Sequence, residues 1–386
     1  MLVLIVFCFV ALVAWVGVLV APVQAHRTRE RIEADPAVPD DLAAVTVLIP
    51  ARDEASLIRR TLASLAVQGR GLEVVVVDDQ STDGTADAAR AAAGDALALR
   101  VVAGKRLPAG WAGKLWALEQ GLNLVERSFV LLLDADIELA PRLVPTLLRT
   151  ARERDATLVS IMAELNCATL WERLLVPAFV HFFKLLYPFA WSNDARRRTA
   201  AAAGGCMLVR TETLRAIGGF AAIRGALIDD CTLAAALKRA RPPISIALSH
   251  SVRSLRVYAE LGDFWQMVSR SAFTQLRYSM ALLALATVLM AVTLLAPAAG
   301  VAAAIVAGDV RLAALAAVAW LALAAAYWPV VRFYGLSSAW AATLPVAAAL
   351  FLAMTWDSAL RYWRGTGAHW KARDYGRLGE RPRPQR

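Results

Sequence analysis

Hydrophobic and polar positions divide the chain into an apolar start, a mixed middle and an apolar end. Met1 to Ala21 carries no charged side chain, and about 20 such residues is the length a helix needs to cross a hydrocarbon core. Arg27, Arg29 and Arg31 come after this run rather than before it, so residues 1–21 read as an uncleaved anchor and not as a signal peptide. The positive-inside rule then puts the N-terminus outside and the chain beyond Ala21 in the cytoplasm. Residues 22–43, charged and Pro-containing, read as a juxtamembrane linker. From Ala44 the pattern changes to short β-branched runs alternating with Ala- and Leu-rich helical stretches. The runs are Val45–Ile49, Glu73–Val77, Leu97–Val102, Phe129–Leu133 and Thr157–Met162. That alternation predicts an α/β domain over 44–258, a mostly parallel sheet flanked by helices.

Past Tyr278 three further apolar runs, Met280–Ala307, Leu312–Val331 and about Ala339–Trp356, are each long enough to span. The pattern therefore adds an interfacial segment over 259–278, a membrane region over 279–356 with two to three spanning helices, and a basic tail over 357–386. Three crossings would leave that tail outside, although it holds Arg361, Arg364, Lys371, Arg373, Arg377, Arg381, Arg383 and Arg386. Positive-inside argues against this, so either one run is re-entrant or interfacial or the orientation rule fails here; the basic tail is expected to be cytoplasmic. Trp171 to Trp191 mixes aromatics with Arg173, His181 and Lys184, which suits a helix lying in the headgroup plane as well as an aromatic core helix.

Composition adds that 58% of the 386 residues are hydrophobic, more than one aqueous core needs. The formal charge of +10 sits beside apolar segments and not in an aromatic-interleaved patch, so an anionic lipid surface is expected as partner and nucleic acid is not. Cys8, Cys167, Cys206 and Cys231 lack paired spacing, which argues against a disulfide framework or a zinc site.

Open α/β sheets bind ligands beyond the carboxyl ends of their strands, and three of the predicted strands end in acids. Ile49-Pro50-Ala51-Arg52-Asp53-Glu54 is the first; alone it is as readily a helix cap, before a helix whose Leu57, Leu62 and Leu65 would face the sheet. At the second, Asp78 and Asp79 close an apolar strand. A turn with a cap accounts for Ser81 to Thr85 but not for two adjacent carboxylates, which call for a uracil imide, a ribose hydroxyl or a cation. Asp134-Ala135-Asp136 is the third, oxygen donors of the kind that hold Mg²⁺ or Mn²⁺ together with substrate phosphates.

Gly110 to Leu118 places Lys114 at the start of a helix, suited to a phosphate or sugar as well as to plain surface exposure. Gly204, Gly205 and Cys206 would bring backbone close to a ligand. Asp229 and Asp230 open a later helix; Asp229 reads as a cap or orienting group and Asp230 as a base. Arg253, Arg256, Arg270 and Arg277 suit either a pyrophosphate or lipid phosphates.

These motifs, in this order from Ala44 to Tyr258, resemble the family 2 (GT-A fold) glycosyltransferases. Trp171 to Phe179, Tyr187-Pro188-Phe189, Arg196 to Cys206, Ala226 to Asp230 and Phe273 to Tyr278 look like the hopanoid-biosynthesis-associated subfamily, and more distantly the ceramide glucosyltransferases. The resemblance implies a multi-pass inner-membrane enzyme with a cytoplasmic GT-A domain. It would take a nucleotide-diphospho-sugar, a UDP-sugar foremost, and move the sugar with inversion to a lipid acceptor, hopanoid-type or else sphingolipid-like, carotenoid or polyprenyl. The implied site has Pro50, Ala51, Arg52, Glu54, Asp78, Asp79, Lys114 and Asp134 toward the donor. Asp136 with Asp134 would hold a divalent cation, Mg²⁺ or Mn²⁺, and Asp230 assisted by Asp229 would be the base. Gly205, Cys206, Arg270, Gln275, Arg277 and Tyr278 would serve the acceptor and pyrophosphate side. The family's Gln-x-x-Arg-Trp motif survives only as Thr274-Gln275-Leu276-Arg277-Tyr278, which implies a single transfer and not processive synthesis. A non-catalytic scaffold would be expected to have lost some of the acids, and a transporter to carry charge within Met280–Ala307, which has none.

Overall fold

The computed structural model describes residues 1–94 and 97–365, with the backbone of 369–370 and 373–374. The described chain forms two compact units. Of the described residues up to 365, one comprises Glu30–Asn166 and Trp191–Arg256; the other comprises Met1–Arg29, Cys167–Ala190 and residues 257–365.

In the first unit eight strands form one sheet: β1 Val45–Ala51, β2 Glu73–Asp78, β3 Ala98–Ala103, β4 Phe129–Leu133, β5 Ile137–Leu139, β6 Leu158–Glu164, β7 Cys206–Arg210 and β8 Ile244–Ser254. Their order is β3-β2-β1-β4-β7-β6-β8-β5. The β1–β2, β1–β4, β2–β3 and β6–β8 pairs are parallel, while β7 runs antiparallel to β4 and β6, and β5 to β8. The expected fold class is therefore the observed one, with antiparallel strands the apolar runs did not announce. Side chains alternate between two cores, as a pleated strand requires. Val45, Val47, Ile49, Val74, Val76, Leu131 and Leu133 pack with Ile58, Leu62, Leu65 and Leu147. Leu48, Val75, Val77, Val130 and Leu132 pack on the other face with Leu115, Leu118, Leu233 and Leu237. The helix Gly113–Leu122 seats closely because Gly121 has no side chain: a Cβ there would lie 2.2 Å from Leu48 Cδ1.

The stretch read as a linker is pinned to this unit from Glu30 onward. Ile32 N donates to Leu248 O (3.1 Å) and Leu248 N to Glu30 O (2.9 Å). The Glu33 carboxylate accepts from His250 N, Ser251 N and the Ser249 and Ser251 hydroxyls. An acid aligned with so many donors is held by charge-assisted hydrogen bonds.

In the second unit Leu2–Val20, Met280–Ala307, Val310–Phe333 and Ser338–Trp363 are helical runs long and apolar enough to cross a membrane. Leu2–Val20 lies along Met280–Ala307, with Trp15 Nε1 donating to Thr293 O (2.7 Å). Gly308 and Asp309 turn the chain, Asp309 capping Arg311 N and Leu312 N. A Cβ on Gly300 would lie 2.6 Å from Cys8 Sγ and 2.9 Å from Ala316 Cβ, so three helices meet where glycine leaves room.

The last of these runs, Ser338–Trp363, has both ends toward one end of this bundle. Trp328 Nε1 donates to Ser338 Oγ (2.9 Å), and Trp320 Nε1, two turns deeper in the same helix, to Ala342 O (3.0 Å). From Leu344 the chain returns: Trp356 Nε1 donates to Thr287 Oγ1 (3.0 Å), and Ala359 packs with Phe273 and Leu283. At 1.5 Å per residue, Trp320 lies roughly 20 Å from Phe333, so the excursion reaches well into the bundle before turning back. The tail expected from residue 357 also begins later, because the helix continues to Trp363. Trp265 Nε1 and Arg361 Nε both reach Asp357 Oδ2 (2.8 Å each), and Ser358 Oγ accepts from Phe273 N (3.0 Å). The sequence from Trp370 to Tyr375 resembles a tail that in the family sits near the catalytic domain; all of it but the backbone of 370, 373 and 374 lies outside the described residues.

Candidate functional site

Strand order reverses between β1 and β4, which opens a crevice at the carboxyl ends of a parallel sheet. The first two expected acid clusters line it and are laced together. Asp53 N donates to Ser81 Oγ (3.0 Å), Thr82 N to Asp53 Oδ1 (2.9 Å), Glu54 N to Thr85 Oγ1 (2.8 Å) and Ala55 N to Asp83 Oδ2 (2.9 Å). Asp53 adopts φ +50°, left-handed backbone that Asp tolerates better than most residues. Ala51 O accepts from Asp79 N (2.8 Å) and Arg52 donates to Asp79 O (2.6 Å). Asp78 Oδ1 accepts from Ser81 N (3.1 Å), and Asp79 is almost wholly buried. Pro50 sits in the ladder opposite Val77.

The third cluster gathers around two cations. Lys114 Nζ lies 2.7 Å from Asp134 Oδ1 and 3.6 Å from Asp229 Oδ2. Burial opposes its charge, but Asp134, Asp229 and Asp230 outweigh that and hold the ammonium above the ordinary lysine range. Burial raises the Asp134 pKa, against Lys114 and helped by Asp136 and Asp229. Arg256 reaches two acids at once, Asp136 Oδ2 through Nε and Glu54 Oε1 through an Nη, both at 2.8 Å. Residue type alone suits Arg256 to phosphates; its place between two carboxylates depends on β8 running alongside β5, a pairing no local pattern announces.

Asp230 opens the helix Asp229–Ala240. Its Oδ2 accepts from Gly204 N (3.1 Å) and its Oδ1 from Cys231 N (2.7 Å). Burial and then the neighbouring Asp229 push its pKa up to about 7, against those two N–H groups and Lys114. The cap position of this helix is Ile228, one residue before Asp229, and the Asp229 carboxylate pairs with Lys114, which fits the orienting role read for it better than the capping one.

Gly205 and Cys206 lie close by in backbone, Gly205 O accepting from Asp134 N (3.0 Å). The Cys206 side chain, however, is wholly buried in the sheet core, and burial pushes its thiol up to about 12. Its contribution is packing, which corrects the expectation that it faces the acceptor. Arg270, Gln275, Arg277 and Tyr278 belong to the other unit. There Gln275 Nε2 donates to the Tyr187 hydroxyl, and Tyr278 stacks on Tyr362 with ring centroids 4.5 Å apart. Arg270 and Arg277 are exposed. Arg277 and Tyr278 both take positive φ, +53° and +56°, a strained pair that sets the turn into the helix beginning at Met280.

Among the described residues no three His, Cys, Asp or Glu side chains converge as a metal cage. Asp134 and Asp136 nonetheless fit a hard divalent cation, since such ions are commonly held by one or two carboxylates plus substrate phosphates. Two acids near enough for Asp136 to raise the Asp134 pKa make the place favourable to a cation.

A family model described as "Glycosyltransferase like family 2" matches residues 43–273. Among curated proteins the chain is 32% identical over 95 residues to the 4,4'-diaponeurosporenoate glycosyltransferase of Staphylococcus haemolyticus, covering 25% of this chain and 24% of that one. It is 35% identical over 111 residues to the undecaprenyl-phosphate 4-deoxy-4-formamido-L-arabinose transferase of Edwardsiella ictaluri, covering 28% and 33%. The chain thus spans about a quarter to a third of the length of these relatives. Among solved structures it resembles the mannosyltransferase PcManGT from Pyrobaculum calidifontis, solved with GDP-Man and Mn²⁺. The TM-score is 0.53 at 22% identity, over 91% of this chain and 99% of that one, a likeness of fold.

Proposed function

The chain belongs to the glycosyltransferase-like family 2, and we propose from that premise that it moves a sugar from a nucleoside diphosphate to a hydroxyl of a membrane lipid. The observation that carries the reading is Asp230: a carboxylate beside the Asp134–Asp136 strand end, pushed up to about 7, the range in which a general base works best at neutral pH. In a single displacement Asp230 takes the acceptor's hydroxyl proton while that oxygen bonds to the anomeric carbon. The bond from that carbon to the diphosphate breaks, and the configuration inverts. Asp78 and Asp79 are assigned to the nucleoside, a uridine foremost, and the Lys114 ammonium to holding Asp229 and Asp134 in place. Asp136 and Asp134 would hold Mg²⁺ or Mn²⁺ with the donor phosphates; bound there, the cation would neutralise charge on the leaving group.

The acceptor we favour is a hopanoid-type lipid, supported by the likeness of Trp171 to Phe179 and Arg196 to Cys206 to that subfamily. The relatives' printed acceptors, an undecaprenyl phosphate and a carotenoid acid, support a second reading in which a phosphate or carboxylate is glycosylated. Lipid mass spectrometry of a strain deleted for the gene separates them. Loss of a glycosylated hopanoid is the expected result, whereas loss of a sugar-phosphate-linked polyprenol with hopanoids unchanged overturns the choice.

We place Leu2–Val20, Met280–Ala307 and Val310–Phe333 across the inner membrane, with Ser338–Trp363 re-entering from the face at which the chain arrives from Val257. The basic tail and Arg27, Arg29 and Arg31 then share the cytoplasmic face, as positive-inside favours. A tag at residue 386 should resist protease in intact spheroplasts and be cleaved in inverted vesicles, and a tag at residue 1 should do the reverse. A tail cleaved from outside would mean that the fourth run crosses.

A further inference from the structure

Arg256 ends the Trp191–Arg256 stretch of the sheet-bearing unit and comes directly after the Leu255 amide, which donates to Asp136 O (2.7 Å). Its guanidinium fork commits Nε to Asp136 and an Nη to Glu54, a planar two-armed arrangement that the compact point charge of an ammonium does not match. Glu54 and Asp136 are 11% and 14% exposed in their side chains, Arg256 37%. The acids are thus nearly enclosed and fixed by short turns, and the cation between them has an open flank.

We propose that Arg256 is an exchangeable counter-ion, which neutralises Asp136 and Glu54 while no divalent cation is bound and gives up Asp136 when one arrives. Without a cation of some kind the two acids would repel across the span of a single guanidinium. An ion pair more than a third exposed on one side contributes little net stability, so a divalent ion held also by phosphate oxygens displaces it. Glu54 then gains a role: it keeps hold of the displaced arginine, so that the charge stays beside the site. The inference rests on Asp136 being the cation's ligand.

The test measures Mn²⁺ binding by the free-ion electron paramagnetic resonance signal on the full chain in nanodiscs, with Mn²⁺ alone and with uridine diphosphate added. In the absence of nucleotide, Arg256→Gln should bind Mn²⁺ on the order of tenfold tighter than wild type, because the competing charge is gone. Arg256→Lys should fall between them, since the ammonium keeps the charge but loses the fork that reaches both acids. If Arg256→Gln does not fold, Arg256→Lys decides alone, tighter binding supporting the exchange. Equal or weaker Mn²⁺ binding in the variants, with wild type binding normally, overturns the exchange and leaves the metal reading standing. No Mn²⁺ binding in any arm, nucleotide included, overturns both.

Discussion

Asp230→Asn should lower single-turnover transfer to a hydroxyl acceptor by a factor on the order of 10² to 10⁴, the scale of a positioned base. Gly204 N and Cys231 N bond different oxygens of the carboxylate, so the amide keeps one of the two hydrogen bonds and gives up the other while removing a buried charge, and folding and donor binding should survive. Asp229→Asn should cost less, because Asp229 only pairs with Lys114 at 3.6 Å. The pH profile supplies a second readout. A base must be deprotonated to act, and Asp230 is pushed up to about 7, so kcat/KM should fall about tenfold per unit as pH drops below that value. That limb should vanish in Asp230→Asn. A phosphate acceptor changes the expectation: its oxygen is already ionised near neutral pH and needs no base, so near-normal turnover by Asp230→Asn would favour a lipid phosphate over a hydroxyl. If instead Asp229→Asn is the inactive variant, the roles of the two acids are reversed.

Much of this site was legible because its chemistry sits at strand ends, where an apolar run stopping at acids is visible in one dimension. Glu73 to Val77 into Asp78-Asp79, and Phe129 to Leu133 into Asp134-Ala135-Asp136, are such places, and the strands appear there. What failed to show depended on pairing across long sequence distances. The strand Cys206–Arg210 is only five residues, entered through Gly204 and Gly205, and those glycines suggested a ligand contact when Cys206 is in fact a core side chain. The strand Ile244–Ser254 changes from apolar to polar along its length, because its second half takes up Glu33 and β5; a periodicity argument expects one pattern per strand. Arg256 and Lys114 were recognisable as cations, but which carboxylates they would meet depended on 120 and 20 residues of intervening fold. The membrane runs show the same limit. Hydropathy located all of them, while the doubling back of Ser338–Trp363 rests on Trp320, Trp328 and Trp356 finding hydrogen-bond partners.

Asp136→Asn should abolish detectable transfer, an effect of at least about 10³, because the charge that would hold a divalent cation against the leaving diphosphate is removed where no neighbour can replace it. Of the nearby acids, Asp134 is engaged with Lys114 at 2.7 Å and Glu54 with Arg256 at 2.8 Å. The substitution should leave the fold intact, since Asn retains an oxygen for Arg256 Nε and the Leu255 N–H to Asp136 O bond is made by backbone. Circular dichroism and gel filtration in detergent would check that. The measurement is transfer in nanodiscs with donor and acceptor saturating, run beside wild type in excess chelator. Both should be silent, and adding Mn²⁺ or Mg²⁺ should restore wild type alone. Asp134→Asn should be impaired less if Asp136 is the principal ligand, and equally if the two hold the ion together. Wild-type turnover undiminished by chelator would overturn the metal reading outright. An active Asp136→Asn with a chelator-sensitive wild type would move the ion to other groups and leave Asp136 with the task of holding Arg256.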